Sequence, residues 1–298
     1  MSKSLSSFLI VATLLFGFSG IVPAQNKVTA VKVGDRIDVS INGNLFTRYL
    51  FQDDEKYPFF FPVNGPSGIS VTSMRNNPYP HHSSLFFTCD RVNGGNYWQE
   101  GLERGQIKSL RAEILESGEN RVVIENECIW WRPGAPSPVR DIRHITITAP
   151  QADLFQIDFA ITMDMLMDVT IEKTNHSLFS ARVAHDIAVA GGGTMINAGG
   201  EVGETETFGK RSPWMDYSGT RNGKTEGIAI MQHPSNPWYP APWFTRDYGF
   251  ISPTPMYWPE DDKATRFKKG ESLKLRYRVV VHSGEVDIEE LFGEYGGE

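Results

Sequence analysis

The chain has 298 residues and a formal net charge of −7, from 36 acidic and 29 basic residues. That balance argues against a nucleic-acid partner and against adsorption to anionic membrane surfaces. The length fits one large all-β domain or two small ones, and an interior of that size folds without staples.

The first 24 residues read as a signal peptide. Lys3 supplies a positive start, "FLIVATLLFGFSGI" an apolar stretch, and Val22-Pro23-Ala24 a small-residue cleavage site. Gln25 then begins the mature protein, which is expected to be exported, periplasmic or secreted, with no stable membrane insertion after cleavage. No later segment is apolar enough to span a bilayer.

Period-two alternation dominates the mature chain. "KVGDRIDVSINGNLFTRYLF" holds two alternating runs around Asn42-Gly43, the signal of a two-residue hairpin. "GQIKSLRAEILESGENRVVIENECIWW" repeats the pattern about a turn at Ser117–Asn120. "RDIRHITITAP" and "LFQIDFAITMDM" form another pair about a Pro150–Asp153 turn. Further strands are expected at Val169–Lys173, Phe179–Val183, Gly227–Met231 and Leu273–His282, with a turn at Asn222-Gly223. "VDIEELFGEY" predicts a short closing helix with Ile288, Leu291 and Phe292 on one face. No linker and no fixed-period repeat interrupts the series. The expectation is a single all-β domain over 25–298, a large β-sandwich with long functional loops and a short C-terminal helix. The irregular stretches are Gln52–Asn77, Ala190–Pro213, with "GGGTMINAGG" as a flexible loop, and His233–Lys269. Cys89 and Cys128, the only cysteines, lie in strands and are either paired or buried thiols.

Three constellations carry chemistry. In "NPYPHHSSLFFTCDRVNGGNYW", His81 and His82 offer an acid/base group or a metal ligand, beside an Asn-Gly loop and a Tyr97-Trp98 platform. In "VTIEKTNHSLFSARV", Glu172, Asn175, His176 and Arg182 gather near a strand–turn–strand. The third runs from Glu226 through "QHPSNPWYPAPWFTRDYGFISPTPMYW". There prolines exclude helix, while His233, Asn236, Trp238, Trp243, Arg246 and Asp247 mix aromatic faces with bonding groups, which suits a sugar. Each has a plainer reading. The histidines could be bonded loop-end imidazoles, and the aromatics could cap the sandwich. Glu226 and His233 stand about 20 Å apart along one strand, too far to act together unless the sheet curls. A divalent metal on histidines from distant loops is neither required nor excluded, because no zincin or paired-cysteine spacing is present.

Those segments, with "SPWMDYSG" and "LRYRVVVHSGEV", resemble the PmoA-like family of exported bacterial proteins over nearly the whole mature chain. The family is named after a methane oxygenase subunit, but this sequence lacks the membrane spans such a subunit needs. Members are thought of among sugar-processing exported proteins and carry Arg-Gly after the paired histidines, where this chain has Ser83-Ser84. The pattern is also similar to the galactose-mutarotase-type supersandwich, in which histidines and a carboxylate act on a sugar.

The expectation is therefore a carbohydrate-active protein of hydrolase, lyase or epimerase type. His81, His82, His176 or His233 would move the proton, and Glu172 or Glu226 would assist. Asn175, Arg182, Asn236 and Arg246 would orient hydroxyls beside Asp247, and Trp238 and Trp243 would stack on the ring. The paired histidines and His233, Asn236 or Trp243 are expected to share one cleft. The alternative is a glycan-binding envelope protein without catalysis.

Overall fold

The computed structural model describes residues 26–99 and 101–297. The proposed signal peptide lies outside the described residues. In chain order the strands are β1 (Val28–Lys32), β2 (Arg36–Ile41), β3 (Asn44–Leu50), β4 (Phe59–Val63), β5 (Leu85–Cys89), β6 (Gln106–Ser117), β7 (Arg121–Trp131), β8 (Val139–Gln151) and β9 (Leu154–Met165). They continue as β10 (Val169–Glu172), β11 (Ser177–Arg182), β12 (Thr194–Asn197), β13 (Trp214–Arg221), β14 (Lys224–Gln232), β15 (Trp243–Arg246), β16 (Phe250–Pro253), β17 (Ala264–Phe267) and β18 (Ser272–Ser283). Helix α1 is Gly203–Thr207 and α2 is Ile288–Gly296.

Two eight-stranded sheets face each other, in the orders β1-β2-β3-β4-β5-β11-β16-β15 and β12-β13-β14-β18-β9-β8-β7-β6, with β10 and β17 as a separate pair. The all-β sandwich expected from the alternation is what forms. The hairpin signals act at the expected places. Asn42 and Gly43 take φ 52° and 81°, and Asn222 and Gly223 take 51° and 77°. Both pairs thus supply the two positive φ values that a tight hairpin between right-twisted strands requires.

Between the sheets lies a core of alternating apolar side chains. Phe179 from the first sheet stacks on Tyr277 of the second at 4.6 Å and meets Phe159 edge-on at 4.7 Å. An ion pair is sealed between the sheets. Arg143 donates to Asp141 at 2.7 Å, both essentially unexposed, and Trp130 Nε1 donates to the same carboxylate at 2.7 Å. Helix α2 closes the outer face of the second sheet, setting Ile288 and Tyr295 against Trp214, Met231 and Val280. Asp287 caps it by accepting from the Glu290 N–H at 3.0 Å. Cys89 and Cys128 are buried free thiols.

Three stretches expected to be irregular contain strands. Thr194–Asn197, inside the glycine-rich segment, is edge strand β12, paired to β13. The Gln52–Asn77 stretch contains β4, and the proline-rich stretch contains β15, β16 and β17. These strands are four or five residues long, too short for alternation to stand out among prolines and glycines. No helix among the described residues is long and apolar enough to cross a membrane.

Candidate functional site

The outer face of the first sheet, over β5, β11 and β16, carries a polar–aromatic cluster. Side chains alternate across a strand. Phe179 points to the core, so Ser180 and Arg182 on β11 point outward, as do Phe86 on β5 and Phe250 and Ser252 on β16. Ser180 and Ser252 bond to each other at 3.1 Å on this floor. Above it, Trp98 packs edge-on against Phe86 at 4.9 Å and against Phe250 at 6.1 Å.

His176, just before β11, is the most completely oriented imidazole of this cluster. Its Nδ1 lies 3.0 Å from an Asp90 carboxylate oxygen, and its side chain keeps 22% exposure against 3% for Asp90. The other Asp90 oxygen accepts a hydrogen bond from the Thr174 hydroxyl. The main chains lock as well: the Asp90 N–H donates to the His176 carbonyl at 3.0 Å, and the His176 N–H donates to Thr174 Oγ1 at 3.0 Å. A carboxylate can only accept, so this contact assigns the proton of neutral His176 to Nδ1 and leaves Nε2 basic. Trp98 covers one side of the ring, centroid to centroid 5.3 Å.

The paired histidines join this group. His81 meets His176 edge-on at 5.7 Å and His82 at 4.5 Å. His82 is 3% exposed, stacks on Phe250 at 4.4 Å and on Tyr79 at 5.4 Å, and its Nδ1 has no partner. Burial, with His176 close by, lowers His81 to about 4. Burial, with His81 and Arg182 adding to it, lowers His82 to about 2. Both rings are thus neutral near pH 7. His81 and Trp98 border a cavity of about 320 Å3 rimmed by Glu55 and Arg75. Asp90 and Glu172 border a second one of about 250 Å3. Arg182 is 7% exposed, lies 4.5 Å over the Tyr248 ring and donates to the Tyr248 carbonyl at 2.6 Å. Burial lowers its pKa. Asn175 precedes His176 in the same turn and is partly buried.

The other sequence candidates lie elsewhere. His233 sits at the end of the second sheet's β14, its Nδ1 2.7 Å from Ser235 Oγ, its Nε2 2.8 Å from Arg276, and its ring edge-on to Tyr295. Asn236 brackets the Arg276 backbone with two bonds, 2.7 and 2.9 Å. Trp243 is fully buried and donates to the Ser212 carbonyl at 2.8 Å, so no ring face is left for a ligand. Glu226 is 1% exposed, pairs with Arg221 at 3.1 Å and accepts from the Ser67 N–H and hydroxyl. Arg246 and Asp247 hold helix α1 through Glu204, at 3.0 and 2.8 Å. These are framework contacts. The proline-rich stretch does reach the paired histidines, but through Tyr248 and Phe250 rather than through His233, Asn236 or Trp243. Trp238 lines a separate cleft.

Asp90 and Thr174 were not singled out by sequence. The available signal was an acid directly after the apolar run "LFFTC", but its partner stands 86 residues on. A second His–Asp contact is equally silent in the sequence: His282 Nε2 and Asp216 Oδ1 are 2.9 Å apart on the outer face of the second sheet. Gly227 makes room for it, because a Cβ there would fall 2.5 Å from that nitrogen.

The architecture is that of a large antiparallel sandwich with a histidine cluster on one outer face. Over residues 36–295 the chain matches DUF6807, a family of unknown function, and it belongs to that family. That match provides no link to the PmoA-like proteins. No curated protein matches the chain. Among solved structures it is similar to a polysaccharide lyase, at 11% identity and TM-score 0.33, covering 91% of this chain and 34% of that one. The chain thus spans about a third of that enzyme's length. It is also similar to a GalM/aldose epimerase homologue from C. elegans, at 9% identity and TM-score 0.34, covering 88% and 100%. A galactose mutarotase related enzyme from Lactobacillus acidophilus gives 9% identity and TM-score 0.30, covering 88% and 100%.

Proposed function

We propose that this protein binds a carbohydrate on the outer face of its first sheet and moves a proton on it with His176. The observation that carries this reading is the contact of His176 Nδ1 with buried Asp90, beside a second, neutral imidazole from His81. An imidazole held by a buried carboxylate is a general base at Nε2, and its imidazolium is stabilised once formed. His81, neutral and adjacent, would take or return the second proton. Tyr79 and Tyr248, both partly exposed, offer aromatic surface for a sugar ring, and Arg182 offers a cation for charge that develops on oxygen. The reaction class is proton transfer on a sugar, of epimerase, lyase or hydrolase type. Export through the N-terminal segment and kinship with PmoA-like proteins belong to the same proposal. Purified protein should be incubated with a panel of saccharides and the products resolved by chromatography and NMR. Conversion by the wild type that is lost in His176→Ala and His81→Ala supports the proposal. Binding without conversion in any condition favours the non-catalytic reading. Conversion unaffected by His176→Ala refutes the assignment.

A further inference from the structure

We infer that the proline-rich segment builds a second saccharide subsite beside the histidine cluster, so that the ligand is a neutral oligosaccharide rather than a single sugar. The inference rests on the proposed carbohydrate reading and extends it. A cleft of about 480 Å3 lies between Pro237–Tyr239, the turn at 258–261 and strand β17. That volume falls in the range of small-ligand sites, roughly 300–1,000 Å3.

Two tryptophans supply its faces. Trp238 and Trp258 are half-buried. Trp258 is fixed edge-on by Tyr257 at 4.8 Å and Phe208 at 5.7 Å, and Trp238 by Phe267 at 6.5 Å. Prolines 237, 240, 242, 255 and 259 restrict the backbone around them, so little ordering entropy remains to be lost on binding. The polar rim is balanced. Arg211 donates to the Pro240 carbonyl at 2.9 Å, Arg266 pairs with Asp261 at 2.9 Å, and Glu260 is exposed. Two cations facing two acids favour hydroxyls over a sulfate or uronate. Ring faces edged by donors and acceptors match a pyranose, apolar above and below and polar around its edge.

The cleft shares its frame with the histidine site. Its floor, β17, pairs with β10, and β10 runs into the turn that holds His176. The Thr174 N–H of that turn donates to the Met256 carbonyl at 3.0 Å, two residues before Trp258. A row of rings joins the two places. His82 stacks on Phe250 at 4.4 Å, Phe250 meets Phe244 at 6.0 Å, Phe244 meets Tyr257 at 5.9 Å, and Tyr257 meets Trp258. These rings are frame, but the Thr174–Met256 contact sets the cleft a few residues from His176, so a chain of sugars seated there has this cleft for its next units.

The test is calorimetric titration of the whole protein with neutral oligosaccharides of one to six units, for the wild type and for Trp258→Ala, Trp238→Ala and His176→Ala. Affinity should rise with length in the wild type. Either tryptophan variant should reduce the ratio of oligosaccharide to monosaccharide affinity by roughly 3- to 10-fold, the value of one lost aromatic contact. The two variants are independent, so misfolding of one leaves the other to decide, with circular dichroism as the check. Affinity independent of length, or ratios unchanged in a folded tryptophan variant, overturns the subsite. Length dependence lost only in His176→Ala keeps the proposed function and overturns the subsite. Absence of binding by every saccharide overturns both.

Discussion

Replacing His233 by Ala separates a framework histidine from a site histidine. The ring bonds to Ser235 through Nδ1, with the Ser235 N–H at 3.1 Å and its Oγ at 2.7 Å. It also meets Arg276 at 2.8 Å and packs edge-on against Tyr295 at 5.1 Å. Each lost hydrogen bond costs about 0.5–1.5 kcal/mol, and the aromatic contact a similar amount. The truncation should therefore destabilise by roughly 2–3 kcal/mol. For a chain of this size that lowers Tm by roughly 4–6 °C. Urea unfolding followed by tryptophan fluorescence gives the free energy directly, and calorimetry gives Tm. Saccharide binding by the folded fraction should match the wild type. His176→Ala should abolish saccharide conversion and carry a stability cost of its own, because it takes the imidazole partner from the buried Asp90 carboxylate. A His233→Ala protein with wild-type Tm and lost binding would refute the division and return His233 to the site.

Asp90→Asn should lower kcat by roughly 100-fold or more with KM little changed, because an amide can present an N–H to His176 Nδ1 and reverse the ring's tautomer; an unchanged kcat in steady-state assays ends the role of Asp90. The depressed pKa values of His81 and His82 fix a sign for pH. Unfolded imidazoles titrate near ~6.5, so below that pH the unfolded chain holds more protons than the native one, and stability falls as pH drops from about 6.5 toward about 4. His82→Phe should flatten that slope relative to the wild type in urea titrations, and an equal slope in both proteins contradicts burial of a neutral ring. Glu226→Gln should cost about 2–4 kcal/mol by weakening a buried ion pair, with Arg221 still held by Asp186. It should leave saccharide conversion unchanged, and loss of conversion at full stability would place Glu226 in the chemistry.

The sequence by itself determined the sheet-rich architecture, because alternation and the Asn-Gly turns are local. Asn42-Gly43 must turn where its two positive φ values allow, and a period of two puts every second side chain of β7 or β8 inside. The closing helix was legible for the same reason, since Ile288, Leu291 and Phe292 fall on one helical face. Proximity in sequence also signalled the His81-His82 pair and the turn that carries His176. Only the tertiary structure decided which of these groups meet. His176 and Asp90 come together because β5 and β11 pair in register, Ser177 opposite Cys89, which sets the residues just outside the two strand ends side by side. Nothing local encodes that register. Trp243 and Asn236 look like ligand-binding residues in a string of aromatic and polar letters. Burial makes the first a core ring bonded to Ser212 and the second a clip on β18. Side-chain chemistry is written in the sequence, but exposure, and with it the choice between framework and site, is set by which strand lies next to which.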